Sequence, residues 1–444
     1  MIPPALENQI VLSEEQTSAV NLAFEWFQKV AAEKQEYKGD PKDFTLSQPI
    51  FQFTGFAGTG KTTTINSFVN LIHIRPLYAA YTGKAALVMH KVNGVPASTI
   101  HSLIYNYVKP DREACEVLYS EIHETPPTKS PEELQQMAEE LKSMSAPGFQ
   151  LNPDSKLKNT NLLILDECSM VNQELLDDLL TFGIPILAIG DPGQLPPVQG
   201  TGAIFKGEPD VKLIEIHRQA ADNPIIEQVT AARKGYPWPR QEAEELELSS
   251  PFFCVNSYKL SGPQLKSICL NADQILTNKN ATRLWLNSKV REWLGFDITD
   301  RYPQIGERLC CWKNDKESGL LNGLMAEVVG RGEVYDEYIE LFIRTELMDN
   351  DQEPLRIKSL LAYYDAYYEP DAMSRVKGWQ RKHNQEFDFG YCLTVHKAQG
   401  SQWVNVVYYD DGMLKGWPAK AKERRQLVYT AGTRAAERLH CIIR

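Results

Sequence analysis

The stretch that constrains this chain most is FTGFAGTGKTTTINSFV, residues 53–69. Gly55, Gly58 and Gly60 let the backbone turn so that successive N–H groups, from Ala57 through Thr59 to Thr63, converge on one point. An apolar run comes before the turn and an apolar-periodic run after it, so the segment reads as strand, loop and helix. GFAGTGKT fills the pattern GxxxxGK[ST], a cradle for nucleotide phosphates. Lys61 brings a mobile positive charge to the β- and γ-phosphates, and the Thr62 hydroxyl is a ligand for Mg²⁺. The helix N-terminus adds its dipole.

A cradle of this kind needs a carboxylate pair, and NLLILDECSM supplies it: a mostly apolar run ending in Asp166-Glu167. A buried parallel strand that ends this way places both acids at its C-terminal tip. Asp166 is the second Mg²⁺ candidate, and Glu167 the group that polarises an attacking water. Further β-rich runs (IFQFTG, PLYAAYT, GIPILAIGD, VKLIEIH) alternate with helical patterns at 61–73, 83–92 and 172–182. A second series follows: PFFCVNS, DQILTNKNA leading into a helix, WVNVVYYDD, RQLVYTAGTRAAERL and HCIIR. This predicts an α/β protein with two parallel sheets.

Two segments interrupt the alternation. Residues 102–158 are Pro- and charge-rich and read as an insertion. Residues 308–386 alternate with Gly and Asp turns, which predicts a small antiparallel barrel-like unit and a helix near 369–385. The expected organisation is 1–101 and 159–222 for the first domain around the 102–158 insertion, then 223–307 and 387–444 for the second around 308–386. A chain of 444 residues is long enough for two cores.

The net charge of −11 argues mildly against a nucleic-acid partner, but the acids are concentrated near 113–124, 132–140 and 242–247, and a local basic groove can coexist with them. Eight cysteines without a CxxC pair suggest reduced thiols. With no signal-peptide pattern and no apolar run of membrane-spanning length, a cytoplasmic protein without membrane contact is expected.

Among nucleotide-binding classes, a GTPase needs Asn-Lys-x-Asp. TNKNA offers Asn278-Lys279, but Ala281 stands where the carboxylate should be. The remaining signals occur in order: LSEEQ (12–16), AAYTGKAA (79–86), ASTIHSLI (97–104), AIGDPGQLPPV (188–198), IEIHRQ (214–219), CLTVHKAQGSQW (392–403) and VYTAGTRAAERL (428–439). This set resembles the superfamily 1B DNA helicases of the RecD/Dda-like branch, from Leu12 to the C-terminus, thinly over 105–158 and 330–388. Tyr81, where the family often has Pro, and Gly432, where a branched apolar residue is usual, depart from the pattern.

The resemblance implies two RecA-like domains with ATP between them, a small insertion in the first domain and an SH3-like β-barrel insertion in the second. Gln16 falls where the family reads adenine, Gln194 where it senses the γ-phosphate, and Gly400 within its nucleotide-contacting segment. Arg218 and Arg434 match its arginine fingers, whose fixed fork suits charge on a transferring phosphoryl group. Because Arg434 comes from the other domain, hydrolysis would require a closed cleft.

A motor grips backbone without reading sequence, through hydroxyls, cations and apolar surfaces. The candidates are Thr82, Lys84, Thr99, His101, Pro196 and Pro197 on the first domain, and Thr394, His396 and Lys397 on the second. TIHS and TVHK place His101 and His396 at equivalent points. The insertion would carry the strand-splitting pin, with Tyr105, Tyr107 and Phe149 as alternatives for its tip. The expected activity is ATP- and Mg²⁺-dependent unwinding, moving 5′ to 3′ on single-stranded DNA and at single/double-strand junctions, by a monomer, with a single-strand-binding or replication protein as a further partner. An RNA helicase, or a nucleotide switch that does not unwind, are the alternatives.

Overall fold

The computed structural model describes residues 12–39, 45–108, 121–122, 130, 137, 148–196, 202–205, 207–216, 223–315, 318–349, 351–412 and 421–444. The chain opens with α1 (Glu14–Glu36), which buries Ala19, Val20, Ala23, Trp26 and Val30 along one helical stripe. Ser13 starts it as a capping box: its hydroxyl accepts from the Gln16 N–H, and the Gln16 side chain accepts from the Ser13 N–H.

The first lobe is a six-stranded sheet. Its strands are β1 (Ile50–Gly55), β2 (Leu77–Ala80), β3 (Ala97–Thr99), β6 (Leu163–Asp166), β7 (Ile186–Gly190) and β8 (Val211–Leu213), in the order β3-β2-β6-β7-β1-β8. Every pairing is parallel. The strands are apolar along their length because both faces are covered: Leu163, Ile164, Leu165, Ile186, Leu187 and Ala188 are all fully buried. Helices α2 (Lys61–Ile72) and α3 (Gly83–Asn93) follow β1 and β2, and α4 (Ile100–Ile104) follows β3. The last leads into an antiparallel ribbon of β4 (Tyr105–Val108) with β5 (Gly148–Leu151), which carries the insertion. Helix α5 (Gln173–Leu180) lies between β6 and β7.

The second lobe begins with α6 (Pro224–Lys234). Its sheet contains β9 (Phe252–Asn256), β10 (Gln274–Thr277), β16 (Cys392–Thr394), β17 (Trp403–Asp410) and β18 (Ala435–Ile443), in the order β16-β10-β17-β18-β9, again all parallel. Helices α7 (Gly262–Leu270), α8 (Asn280–Leu294) and α11 (Ala421–Gly432) belong to it. The run RQLVYTAGTRAAERL therefore divides into helix and strand at Gly432, and HCIIR continues the strand.

Between α8 and β16 lies a five-stranded antiparallel sheet: β11 (Arg308–Cys311), β12 (Met325–Val334), β13 (Tyr338–Thr345), β14 (Leu355–Leu360) and β15 (Phe387–Phe389). Alternate residues Ile339, Leu341 and Ile343 point into its core. After a short helix α9 (Ala362–Asp365), the single helix expected near 369–385 is replaced by a 3₁₀ turn at Ala372–Arg375 and a short helix α10 (Gly378–His383). Pro370 and Gly378 punctuate the run and prevent a continuous helix.

Polar side chains fasten this sheet to the parallel one. Asn287 Nδ2 donates to the carbonyls of Phe389 and Cys392, and its Oδ1 accepts from the Cys392 N–H. Arg291 Nε donates to Glu307 Oε1 at 2.6 Å, and its Nη2 reaches Glu307 Oε2 at 3.2 Å; both residues are buried. The seven cysteines among the described residues are buried thiols. Among the described residues, no helix is long and apolar enough to cross a membrane.

Candidate active site

The strand order brings three C-terminal strand ends together. Strand β7 lies between β1 and β6, and register pairs Thr54 with Gly190 and Leu165 with Ala188. Gly55, Asp166 and Asp191 therefore leave the same edge of the sheet, where a parallel α/β fold places its ligands.

Gly58 and Gly60 have φ of 81° and 73°, left-handed values that a side chain rarely tolerates, so the loop geometry depends on glycine here. Gly55 is constrained differently: a Cβ on it would come within 2.7 Å of Thr59 Oγ1. Lys61 opens α2, and its Nζ donates to the carbonyls of Gly55 (2.7 Å) and Phe56 (3.1 Å). Buried Thr59 donates through its hydroxyl to Phe56 O at 2.8 Å. Buried Gln16, fixed by its capping box, donates through Nε2 to Thr59 O at 3.3 Å, so it borders the loop. Thr62 and Thr63 lie on the first turn of α2.

Asp166 Oδ1 accepts from the Glu167 N–H at 2.8 Å. Glu167 itself has φ 53°, an unusual left-handed conformation for a residue with a side chain; such strain costs about 1 kcal/mol or more. Both residues are mostly buried, and this desolvation raises the pKa values of their carboxyls. Glu167 is pushed up to about 6 by burial and by the neighbouring charge of Asp166, with Arg434 and Lys61 pulling it back. Lys61 also lowers Asp166. The electrostatics thus join the loop lysine, the acid pair and an arginine of the second lobe. The carboxylate of Asp166 and the hydroxyl of Thr62 are hard oxygen donors of the kind Mg²⁺ takes.

The segment after β7 is gripped from the second lobe. Tyr429 on α11 donates its hydroxyl hydrogen to Asp191 Oδ2 at 2.7 Å and accepts from the Ala57 N–H at 2.8 Å. Thr430 Oγ1 accepts from the Leu195 N–H, Gln426 Nε2 donates to Gln194 O, and Gln399 Nε2 donates to Leu195 O. Gln194 is buried, and its Oε1 has no donor among the described residues. Arg434 is buried and donates to the carbonyls of Thr430 and Ser401 and to Thr433 Oγ1. Gly432 is explained by packing: a Cβ there would lie 2.3 Å from Val229 Cγ1 of α6.

Gly400 has φ of 73°. A Cβ on it would lie 3.1 Å from Ala85 Cβ and 3.2 Å from Thr82 Oγ1, so it packs on the start of α3. Thr82 caps that helix, accepting from the Ala85 N–H. Lys84 reaches across the lobes to Glu346 Oε1 (3.0 Å) and Gly323 O (3.4 Å), with its ammonium over the Trp403 ring. Lys397 approaches the same turn from the second lobe: it donates to Asn322 Oδ1 and Cys311 O and lies over Trp312. The turn Leu320–Gly323 therefore sits between the two lysines. Beside it is a cavity of 430 Å³ lined by Gly83, Thr99, Ser102, Asp315, Leu320 and Leu321.

Thr99 caps α4 by accepting from the Ser102 N–H. His101 lies between the rings of Tyr81 and Tyr105, with centroids 5.9 and 5.8 Å away. Thr394 Oγ1 accepts from the Lys397 N–H. Burial lowers the pKa of both His101 and His396. Pro196 is exposed, beside a second cavity shared by Asp191, Gln194, Lys422 and Gln426. Arg218, Pro197 and most of the insertion lie outside the described residues.

Sequence reasoning missed Tyr429, Thr430, Gln426 and Gln399. The signal was present: Gln426, Tyr429 and Thr430 recur at helical spacing and so share one face of α11.

Comparison with known proteins agrees with this arrangement. A family model described as an AAA domain matches residues 42–247, and one described as a UvrD-like helicase C-terminal domain matches residues 389–442. The chain is 26% identical over 408 residues to the ATP-dependent RecD2 DNA helicase of Deinococcus radiodurans, covering 87% of this chain and 46% of that protein. It is 31% identical over 160 residues to an uncharacterised protein of Acanthamoeba polyphaga mimivirus, covering 34% and 29%. The chain thus spans less than half the length of either relative. A crystal structure of Pif1 helicase from Candida albicans aligns over 98% of this chain and 94% of its own, with 18% identity and a TM-score of 0.50, a likeness of fold.

Proposed function

We infer that this chain, a superfamily 1B helicase of the RecD and Pif1 type, hydrolyses ATP between its lobes to move 5′ to 3′ along single-stranded DNA and separate duplex at a junction. The observation that carries this is that Lys61 and the Asp166-Glu167 pair stand at one edge of the first sheet, and that α11 of the second lobe, which leads into the buried Arg434, is hydrogen-bonded to that edge through Tyr429. A nucleotide switch needs the cradle; a turnover engine also needs the acid pair and a cation from the facing lobe.

In this reading the N–H groups of residues 57–63 and Lys61 hold the ATP phosphates, and Gln16 borders the adenine. Thr62 and Asp166 would hold Mg²⁺, which when bound neutralises charge between the phosphates. Glu167 takes the proton of the attacking water, and Gln194 orients that water through its available Oε1. Arg434 and Arg218 are the fingers; Arg434 exchanges its hydrogen bonds to Thr430 and Ser401 for the phosphoryl group as the cleft closes. The boundaries 1–101, 102–158, 159–222, 223–307, 308–386 and 387–444 are the proposed domains, with the antiparallel sheet as the SH3-like unit. The track runs past Thr82, Lys84, Thr99, His101 and Pro196 on one lobe and Thr394, His396 and Lys397 on the other. The motor acts as a monomer in the cytoplasm, on strands that a single-strand-binding protein would otherwise cover.

The test is ATP-driven opening of DNA duplexes bearing either a 5′ or a 3′ single-stranded tail, with RNA-tailed duplexes alongside. Opening of the 5′-tailed DNA alone is expected. Opening of the 3′-tailed duplex alone would overturn the polarity, and hydrolysis without opening of any duplex would reduce the protein to a translocase or remodeller.

A further inference from the structure

We propose that Tyr429 couples nucleotide occupancy to the grip between the lobes, by competing with a phosphate oxygen for the Ala57 N–H. The proposal rests on reading GFAGTGKT as the ATP site and assigns that site a regulatory residue.

The geometry is specific. The Tyr429 hydroxyl makes two bonds at once, donating to Asp191 and accepting from Ala57. Its ring lies against Gly193, where an added Cβ would come within 2.7 Å of Tyr429 Cε1. Gly193 is itself held by Asp191 Oδ1 at 2.9 Å. A side chain of the second lobe therefore occupies one N–H of the loop that would hold phosphates, and it is anchored to the strand end beside that loop.

A phosphate oxygen is a charged acceptor and makes a stronger hydrogen bond than a phenol oxygen. Phosphate arriving at Ala57 therefore displaces the hydroxyl, which keeps its bond to Asp191 but loses its hold on the loop. By reciprocity, whatever tightens Tyr429 on Ala57 weakens nucleotide binding to the same degree. Tyr429 sits on α11 beside Thr430, which holds both Leu195 and Arg434. Release at Ala57 therefore loosens the helix that carries the second lobe's other contacts to this segment. Tyr429 is a positioning residue in this scheme, acting through Asp191 and α11.

The experiment titrates a fluorescent ATP analogue into the wild-type chain, Tyr429→Phe and Lys61→Ala, and measures ATPase KM and kcat with and without a DNA strand. Losing one competing neutral hydrogen bond should tighten Tyr429→Phe binding by about five-fold, lower its KM similarly, and reduce the factor by which the strand stimulates turnover. Gly193→Ala, which pushes the ring aside while keeping the hydroxyl, should shift both parameters the same way and carries the test if Tyr429→Phe does not fold. A folded Tyr429→Phe with wild-type affinity and stimulation would overturn the coupling role. A wild-type chain that does not bind the analogue, or a Lys61→Ala variant that binds it equally well, would instead overturn the ATP-site reading beneath the proposal.

Discussion

Lys84 of the first lobe and Glu346 of the antiparallel sheet place their charged atoms 3.0 Å apart, with the lysine side chain almost entirely buried and the carboxylate over one-third exposed. The lysine expected to hold a strand phosphate is thus held by the opposite lobe. A strand backbone approaching Thr82 and Thr99 meets a cation already engaged by a carboxylate, a carbonyl and an indole face.

Glu346→Gln should therefore tighten binding of single-stranded DNA and steepen its salt dependence by about one phosphate contact, since one cation is released to the strand. The ion pair itself contributes only about 1 kcal/mol or less to the lobe contact, because water reaches the carboxylate. Fluorescence anisotropy across a salt series, with a double-mutant cycle against Lys84→Ala, measures both.

Turnover should depend on pH through Glu167. Its carboxyl is raised to about 6, and the basic form is the one that accepts a proton from water. Activity therefore falls as pH drops through 6 and reaches a plateau above about 7. Glu167→Gln should keep ATP binding, lower kcat by roughly 100-fold or more and remove that acidic limb. A normal kcat in this variant would place the base elsewhere.

Strand binding should not follow histidine titration near neutrality. Burial lowers the pKa of His101 and His396, so both are neutral above their ordinary value near 6.5. Affinity for a DNA strand measured from pH 6.5 to 8 at fixed salt should stay flat. A steep loss as pH rises through 7 would mean that at least one of them binds as a cation.

Glu307→Ala should be severe, although Glu307 belongs to the second lobe and not to the phosphate loop. It strands the Arg291 guanidinium in a buried site, at a cost of about 3–5 kcal/mol. Chemical denaturation should show the second lobe melting earlier, with the first lobe's transition unchanged. Replacing the pair together by apolar residues should recover much of the loss.

The parts of this fold legible in the sequence are those whose physics is local. Apolar runs such as LLIL and ILAI can only be strands covered on both faces, and the glycines of GFAGTGKT announce a loop with left-handed backbone. The edge strand at Ala97–Thr99 was not legible, because three half-buried residues carry no apolar signature. The Ser13–Gln16 capping box could have been read as a helix start. The position of Lys84 could not, because its partners Gly323, Glu346 and Trp403 lie more than 200 residues away and depend on the docking of the lobes. Gly432 stood out only as a departure from the family pattern; the close approach of Val229 gives it a steric reason.

The order of strands in the second sheet carries a consequence for biosynthesis. The first sheet holds all its strands once Leu213 has been made, so it can assemble while the rest of the chain is still emerging. The second cannot: β18, the last strand in chain order, fills the gap between β17 and β9, and its register partners in β9 lie 187 residues earlier, as Leu439 on Phe252 shows. Until Ala435–Ile443 is available, β9 and β17 expose unpaired edges, open to pairing with the wrong partner. The phosphate-loop lobe can thus stand finished while the second lobe is still an open sheet, and on the proposed reading nucleotide bound at that stage would lack Arg434, which lies just before β18.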